Sequence, residues 1–510
     1  MSAITTAMTA DQALKPTAQQ AAFFFALTDT EDNILLRARA GTGKTSAILM
    51  GVDAYVDRFP SHEILVLAYN KAIADEVSGK LKHRGHTDWH RVQACTLHSL
   101  GFGLLRFAFG SKVDDQKVRN IICAHEEVEY TNYAAQISSL VRYAKQAGVG
   151  FFPDAQIGDP RVWYDLADHF DVNGFDDTTE SDVVVSCAQV VYRESLAATA
   201  TVDFDDMILM PLVKSLRVKF TKDLIFLDEA QDLSRARQAL ARKFMRTGTG
   251  RMAIVGDDCQ AIYGFSGADA AALNNLATAL AAKSMPLSVT WRCPKTVVKL
   301  AQRLVADLEA APDAPEGAVL SVESLPADLT PGRDAILCRN TAPLIDLAYK
   351  LIREGKPAKV EGRAIGDGLI ALAARWKVRT TAALINKLDD YLARETQKAQ
   401  AKGNEQKAAD VTDRVETLLQ IVAEANRKGL HTVDAVVAHI QALFSDGDNN
   451  VITLATYHRS KGREWDRVCL WEHTGRCPSR AARQQWQQEQ ERNLAYVAMT
   501  RAKGTLVFVG

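Results

Sequence analysis

Short apolar runs recur along the chain, each ending in small or acidic residues and followed by a stretch of helical periodicity. They are Ile34–Ala38, Ile64–Ala68, Leu224–Asp228, Met252–Gly256, Ala335–Cys338, Val451–Ala455 and Val468–Trp471. Runs of this length, bounded by turn signals and alternating with helices, predict buried parallel strands. The first four fall in one half of the chain and the last three in the other, which predicts two α/β cores.

Two long stretches lack that rhythm. Residues 97–204 carry helical periodicity with aromatics and charges, and 370–448 are helical in composition, with alternating charge through Gln397–Arg414. Both predict helical insertions. The first core then takes 1–96 and 205–288, and the second takes 289–369 and 449–510. The segment Ala311–Gly332, with Pro312, Pro315, Pro326 and Pro331, predicts an irregular linker.

Composition narrows this little. The chain has 510 residues with 47% hydrophobic and 24% charged, the balance of a globular protein of several domains. A formal net charge of −1 means that a polyanion site needs a local cationic stripe rather than a global excess. The eight cysteines are scattered without a CxxC pair, as in a reducing compartment. Neither His83, His86 and His90 nor Cys469, His473 and Cys477 has the spacing of a structural zinc site. The start has no basic and apolar leader, and no run approaches a membrane span. The expectation is a cytoplasmic chain without a membrane partner.

The chemistry begins at Ala38-Arg39-Ala40-Gly41-Thr42-Gly43-Lys44-Thr45, between a predicted strand and a helix that opens with Lys44, Thr45 and Ser46. Glycines at Gly41 and Gly43 let backbone amides, with Thr42, close around phosphates at a helix N-terminus. Lys44 reaches the terminal phosphates and Thr45 holds magnesium. Its partner is the strand Leu224–Leu227, which delivers Asp228 and Glu229 to its C-terminal end. There Asp228 would hold the metal, and Glu229 would orient and deprotonate the attacking water.

Asp228-Glu229-Ala230-Gln231-Asp232 after the phosphate loop resembles the UvrD/Rep-like branch of superfamily 1 helicases, and further motifs agree in order along nearly the whole chain. Thr17-Ala18-Gln19-Gln20 resembles the glutamine motif that reads adenine, with Gln20 at the better spacing. Tyr69-Asn70-Lys71, Thr96-Leu97-His98-Ser99 and Asp203-Phe204-Asp205-Asp206 resemble single-strand contact motifs. Val255–Ala268 resembles the motif that links the terminal phosphate, through Gln260, to bases stacked on Tyr263 and Phe265. Trp291-Arg292, Thr456–Glu464 and Asn493–Ala502 resemble the remaining ones.

The resemblance implies two RecA-like P-loop domains with parallel sheets, each carrying a mainly helical insertion. It implies ATP and Mg2+ as cofactors. Catalysis would fall to Lys44, Glu229, Gln260, Arg292 and Arg501, with Trp291 over adenine and Glu464 on the ribose. Tyr69, Asn70, Lys71, Thr96, His98, Tyr263, Phe265, Thr456 and His458 would line the strand track. The partners implied are single-stranded DNA and tailed or forked duplexes, read by a monomer moving 3′ to 5′. A protein loading partner is left unnamed.

The chain departs from the family pattern at Arg39, Leu97, Phe265 and Ser266, and its second insertion is small. A translocase that displaces proteins with little unwinding, a nucleotide-gated binding scaffold, and RNA as substrate stay open on the residues alone.

Overall fold

The computed structural model describes residues 16–172, 178–401, 405–443 and 450–510. Two six-stranded sheets organise it. The first runs in the order Val92–Thr96, Ile64–Ala68, Leu224–Leu227, Arg251–Gly256, Ile34–Ala38 and Lys283–Leu287, with every neighbouring pair parallel. The second runs Ala318–Val322, Ala502–Val509, Trp465–Trp471, Asp334–Cys338, Ile452–Thr456 and Ala358–Val360, also parallel throughout. All seven apolar runs are strands of these sheets. Their central members are buried on both faces, which is why they read as unbroken apolar runs rather than alternating ones.

The Pro-rich segment is a correction. It contains the strand Ala318–Val322, an edge strand paired with Ala502–Val509. Leu320 and Val322 are exposed there, so no buried run marks it in the sequence. Lys283–Leu287, the edge of the first sheet, is similarly exposed over Lys283, Ser284 and Pro286.

The two insertions attach differently. Helices Lys117–Ala124, Ala134–Ala147, Pro160–His169 and Thr178–Ala197 enclose their own core around Trp163, Tyr192 and Ile137. Helices Thr381–Ala401, Glu405–Arg427 and Val433–Leu443 instead share one apolar cluster with a face of the second sheet, joining Leu388, Leu418 and Val436 to Ile336 and Leu454. No described helix is long and apolar enough to cross a membrane.

The first insertion is tied down by buried charge. Lys145 lies 2.6 Å from Asp203 and 2.7 Å from Asp206, and Lys117 lies 2.7 Å from Asp206. Asp203 also caps helix Phe204–Val213 in a reciprocal capping box with Asp206. These two carboxylates therefore hold elements together instead of facing a nucleic-acid strand, and only Phe204 of that motif is prominently exposed. Lys145→Met should destabilise the chain by about 3–5 kcal/mol, because among the described residues it leaves Lys117 as the one cation beside Asp203 and the fully buried Asp206. A urea midpoint unchanged from the parent would show that water reaches the cluster.

Candidate nucleotide and strand site

Because both sheets are parallel, the loops after their strands gather along C-terminal edges, where open α/β sheets bind ligands. The phosphate loop follows Ile34–Ala38. Gly41 has φ +73° and Gly43 φ +80°, and Gly43 precedes helix Lys44–Arg58 as its N-cap. A Cβ on Gly41 would lie 2.5 Å from Thr290 Oγ1 and 2.6 Å from Arg292 Cβ, so no larger residue fits where the loop meets the second half of the chain. Thr42 is buried with its hydroxyl donating to the Arg39 carbonyl at 2.8 Å, while Thr45 is half-buried and Ser46 exposed on the first turn.

Lys44 Nζ sits 2.6 Å from Glu229 Oε1. Burial opposes the Glu229 charge, but Lys44 and Lys461 outweigh it and hold the carboxyl below its ordinary range. Asp228 is shifted the other way, upward, by burial and then by the neighbouring Glu229 charge. The two adjacent carboxyls thus shift in opposite directions. Glu229 also adopts φ +49°, a left-handed backbone at a non-glycine residue that costs on the order of 1–3 kcal/mol and that the surrounding packing must sustain. Its second oxygen accepts from Gln231 Nε2. Gln231 in turn accepts the Asp257 N–H at 3.0 Å, which links the acidic strand to the next loop.

That next loop presents Gln260, buried, with its amide nitrogen donating to Asp257 Oδ2 at 2.7 Å. Arg501 from the second core reaches to 3.5 Å from Gln260 Oε1. Arg501 is buried and otherwise donates to the Val497 and Arg463 carbonyls and the Thr500 hydroxyl. Burial first, and Arg292 second, lower its pKa to about 9, which leaves it charged at neutral pH. Among the described residues no carboxylate forms an ion pair with it.

Arg292 pairs with Glu464 at 2.6 Å, and the Trp291 ring beside it is 55% exposed, open to a planar partner. Gln20 lies against Gly43 while its side-chain oxygen closes a capping box with Thr17. Gln19 instead turns to Ser288 at 2.8 and 2.9 Å. The structure thus gathers Gln20, the loop 41–46, Asp228, Glu229, Gln260, Arg292 and Arg501 around one cleft, with Trp291 and Glu464 at its edge.

The strand residues form a second row along the same edges. Asn70, Thr96 and Thr456 use their side-chain oxygens locally, accepting from the N–H groups of Ile73, Ser99 and Arg459. They fix the turns after their strands, and Lys71 opens the next helix on the exposed side. Tyr69 and Tyr263 stack on each other with ring centroids 6.1 Å apart. Arg237 covers Tyr69 and Lys461 covers Tyr263, which leaves Phe265, 51% exposed, as the more open platform. His458 meets Phe265 edge-on at 5.5 Å. Burial lowers His458 to about 3 and His98 to about 4, so both imidazoles are neutral at pH 7 and offer ring faces rather than charge.

Sequence reasoning singled out neither Lys461 nor Asp232. Lys461 crosses from the second core to pair with Asp232, lies 3.9 Å from Glu229, and donates to the Gln260 carbonyl at 2.8 Å. It stands three residues after His458 inside a recognised motif, and that position was the signal available. Asn493 similarly crosses, donating to the Asp258 and Ala261 carbonyls at 3.1 and 3.0 Å. Asp257, Asp258 and Cys259 are close enough together to suggest a metal site, but the Arg39 guanidinium already sits against all three.

Several known proteins are similar to this chain in sequence. F-box DNA helicase protein 1 of Schizosaccharomyces pombe is 25% identical over 92% of this chain and 55% of its own length. DNA helicase IV of Escherichia coli is 25% identical over 48% of this chain and 40% of its own length. ATP-dependent DNA helicase PcrA of Staphylococcus epidermidis is 23% identical over 55% of this chain and 39% of its own length. The chain therefore spans about half the length of these curated relatives, or less. The model of the UvrD/REP helicase N-terminal domain matches residues 17–280, and that of the UvrD-like helicase C-terminal domain matches 325–509. The chain belongs to the UvrD/REP helicase family.

Proposed function

We propose that this chain is an ATP-dependent DNA helicase that moves 3′ to 5′ on single-stranded DNA. The observation that carries the reading is Arg501. A buried guanidinium without a carboxylate partner among the described residues, across the cleft from Lys44 and Glu229, is a cation placed where an anionic group would arrive. Phosphoryl transfer needs such positioned charge more than covalent help. Lys44 belongs to the first core, Arg292 and Arg501 to the second. Binding a triphosphate between them draws the cores together, and its hydrolysis releases them. Lys461 and Asn493 carry that motion to the loop bearing Tyr263 and Phe265, so the two cores alternate their hold on a strand.

Magnesium fits this site. Asp228 is a buried carboxylate whose one oxygen accepts the Glu229 N–H, and Thr45 offers a hydroxyl on the first turn after the loop. These two would hold the ion, which would neutralise phosphate charge. Both halves of the site come from one chain, so a monomer is sufficient.

The deciding experiment pairs ATPase assays, with and without single-stranded DNA, with unwinding of 3′-tailed and 5′-tailed duplexes. Stimulated hydrolysis with unwinding of the 3′-tailed duplex alone is expected. Robust streptavidin displacement without unwinding would make the chain a translocase, and absent stimulation would leave a nucleotide-gated scaffold. Phe265→Ala should weaken single-strand binding by about tenfold, the loss of one stacked base, while basal hydrolysis stays within about twofold. Equal losses of binding and basal hydrolysis would place Phe265 in the core instead.

A further inference from the structure

Arg39 stands inside the phosphate loop, where the family pattern has a small residue, and its side chain is only 10% exposed. Its guanidinium holds three carboxylates. Nη1 donates to Asp257 Oδ1 at 2.8 Å and also reaches Asp258. Nε and Nη2 form a fork on Asp307, at 2.9, 3.0 and 2.9 Å. Asp257 and Asp258 follow a strand of the first sheet. Asp307 lies between Val305 and Leu308, which are both buried in the apolar cluster of the second core.

The neighbouring backbone is stitched in the same direction. The Arg39 N–H donates to the Leu287 carbonyl at 2.9 Å, and the Trp291 N–H donates to the Gly41 carbonyl at 2.9 Å. Residues 287–291 are where the chain leaves the first sheet for the second core. The Ala40 N–H donates to the hydroxyl of Tyr496, on helix Gln485–Met499 just before Arg501, and Ala40 itself is buried in the second-core cluster. The phosphate loop is thus anchored on both sides of the cleft, by a planar fork whose geometry a lysine cannot reproduce.

We propose that Arg39 is a positioning residue that ties the phosphate loop to the second core through Asp307, so that the loop and the arginines aimed at a terminal phosphate keep one register. The inference rests on the nucleotide-cleft reading above and adds a residue to it. A diphosphate would be held by the phosphate loop alone, whereas a triphosphate also needs Arg292 and Arg501 in place. The tie should therefore be felt by the triphosphate only.

Asp307→Asn is the cleanest variant. Asp307 is 55% exposed, and Arg39 keeps Asp257 and Asp258, so no buried charge is stranded. In the full chain, Asp307→Asn should weaken ATPγS binding by about tenfold, the loss of one charge-assisted fork, and leave fluorescent ADP within about twofold. Asp307→Glu should restore most of the ATPγS affinity. Arg39→Ala should weaken ATPγS as well, with Asp307→Asn adding nothing further in the double variant. Equal weakening for both nucleotides, no weakening at all, or additive losses would overturn the proposal. The contrast needs no turnover. A chain that binds nucleotide but is not stimulated by single-stranded DNA would refute the helicase reading and still decide the role of Arg39.

Discussion

Glu229→Gln is expected to reduce ATP turnover by about a thousandfold while nucleotide binding is kept or tightened. The cause lies in what Glu229 touches. Its carboxylate is paired with Lys44 at 2.6 Å and stays ionised because two lysines outweigh its burial. An ionised carboxylate is the form that can take a proton from water, and the amide cannot. The same pair competes with a phosphate for Lys44, so removing the charge should free the lysine for its ligand. Single-turnover hydrolysis together with ATPγS titration checks both halves. Near-normal turnover would assign the base elsewhere. Strongly weakened binding would mean that Glu229 positions Lys44 for the nucleotide rather than competing with it.

The second large effect is at Arg501. Arg501→Ala should lower kcat by about 10³-fold or more, with a much smaller change in ADP affinity, because an arginine finger acts on charge that develops at the terminal phosphate. Arg501→Lys should not rescue it. The guanidinium is held by three oxygen acceptors, the Val497 and Arg463 carbonyls and the Thr500 hydroxyl, in a geometry that an ammonium cannot match. Measuring kcat separately from ADP binding distinguishes this from loss of fold, in which both would fall together. A kcat within about tenfold of the parent would leave Arg292 as the principal cation across the cleft.

The parts of the site that could be read from the chain are those in which chemistry and backbone lie within a few residues. The phosphate loop, the Asp228–Glu229 pair and the Gln260 loop each follow a buried strand, so an apolar run and its polar end announce both at once. Exposed edge strands were not legible. Lys283–Leu287 and Ala318–Val322 pair on one side only, and they lack the apolar run that burial on two faces imposes. Contacts that cross the cleft were equally silent. Nothing near Arg39 in sequence points to Asp307, nothing near Ala40 points to Tyr496, and nothing near Asp232 points to Lys461. Asn70, Thr96 and Thr456 show a different case. Their residue types fit nucleic-acid contact, and in the structure their side-chain oxygens also cap the turns after their strands.

The strand that carries the phosphate loop has a further consequence, for the order in which the protein can be assembled. Ile34–Ala38 pairs on one side with Arg251–Gly256 and on the other with Lys283–Leu287, both made long after it and after the whole first insertion. Early in synthesis this strand has no neighbour in its sheet. The helices around Trp163 and Tyr192 can close over their own core before strands Leu224–Leu227 and Arg251–Gly256 complete the middle of the sheet. Loop closure over so many residues makes this sheet a late and slow step. A nucleotide in the proposed cleft would bind only once that step is complete, and by mass action it would then hold the finished sheet against reopening. On the proposed function, the substrate of the motor would in this sense also be its last folding partner.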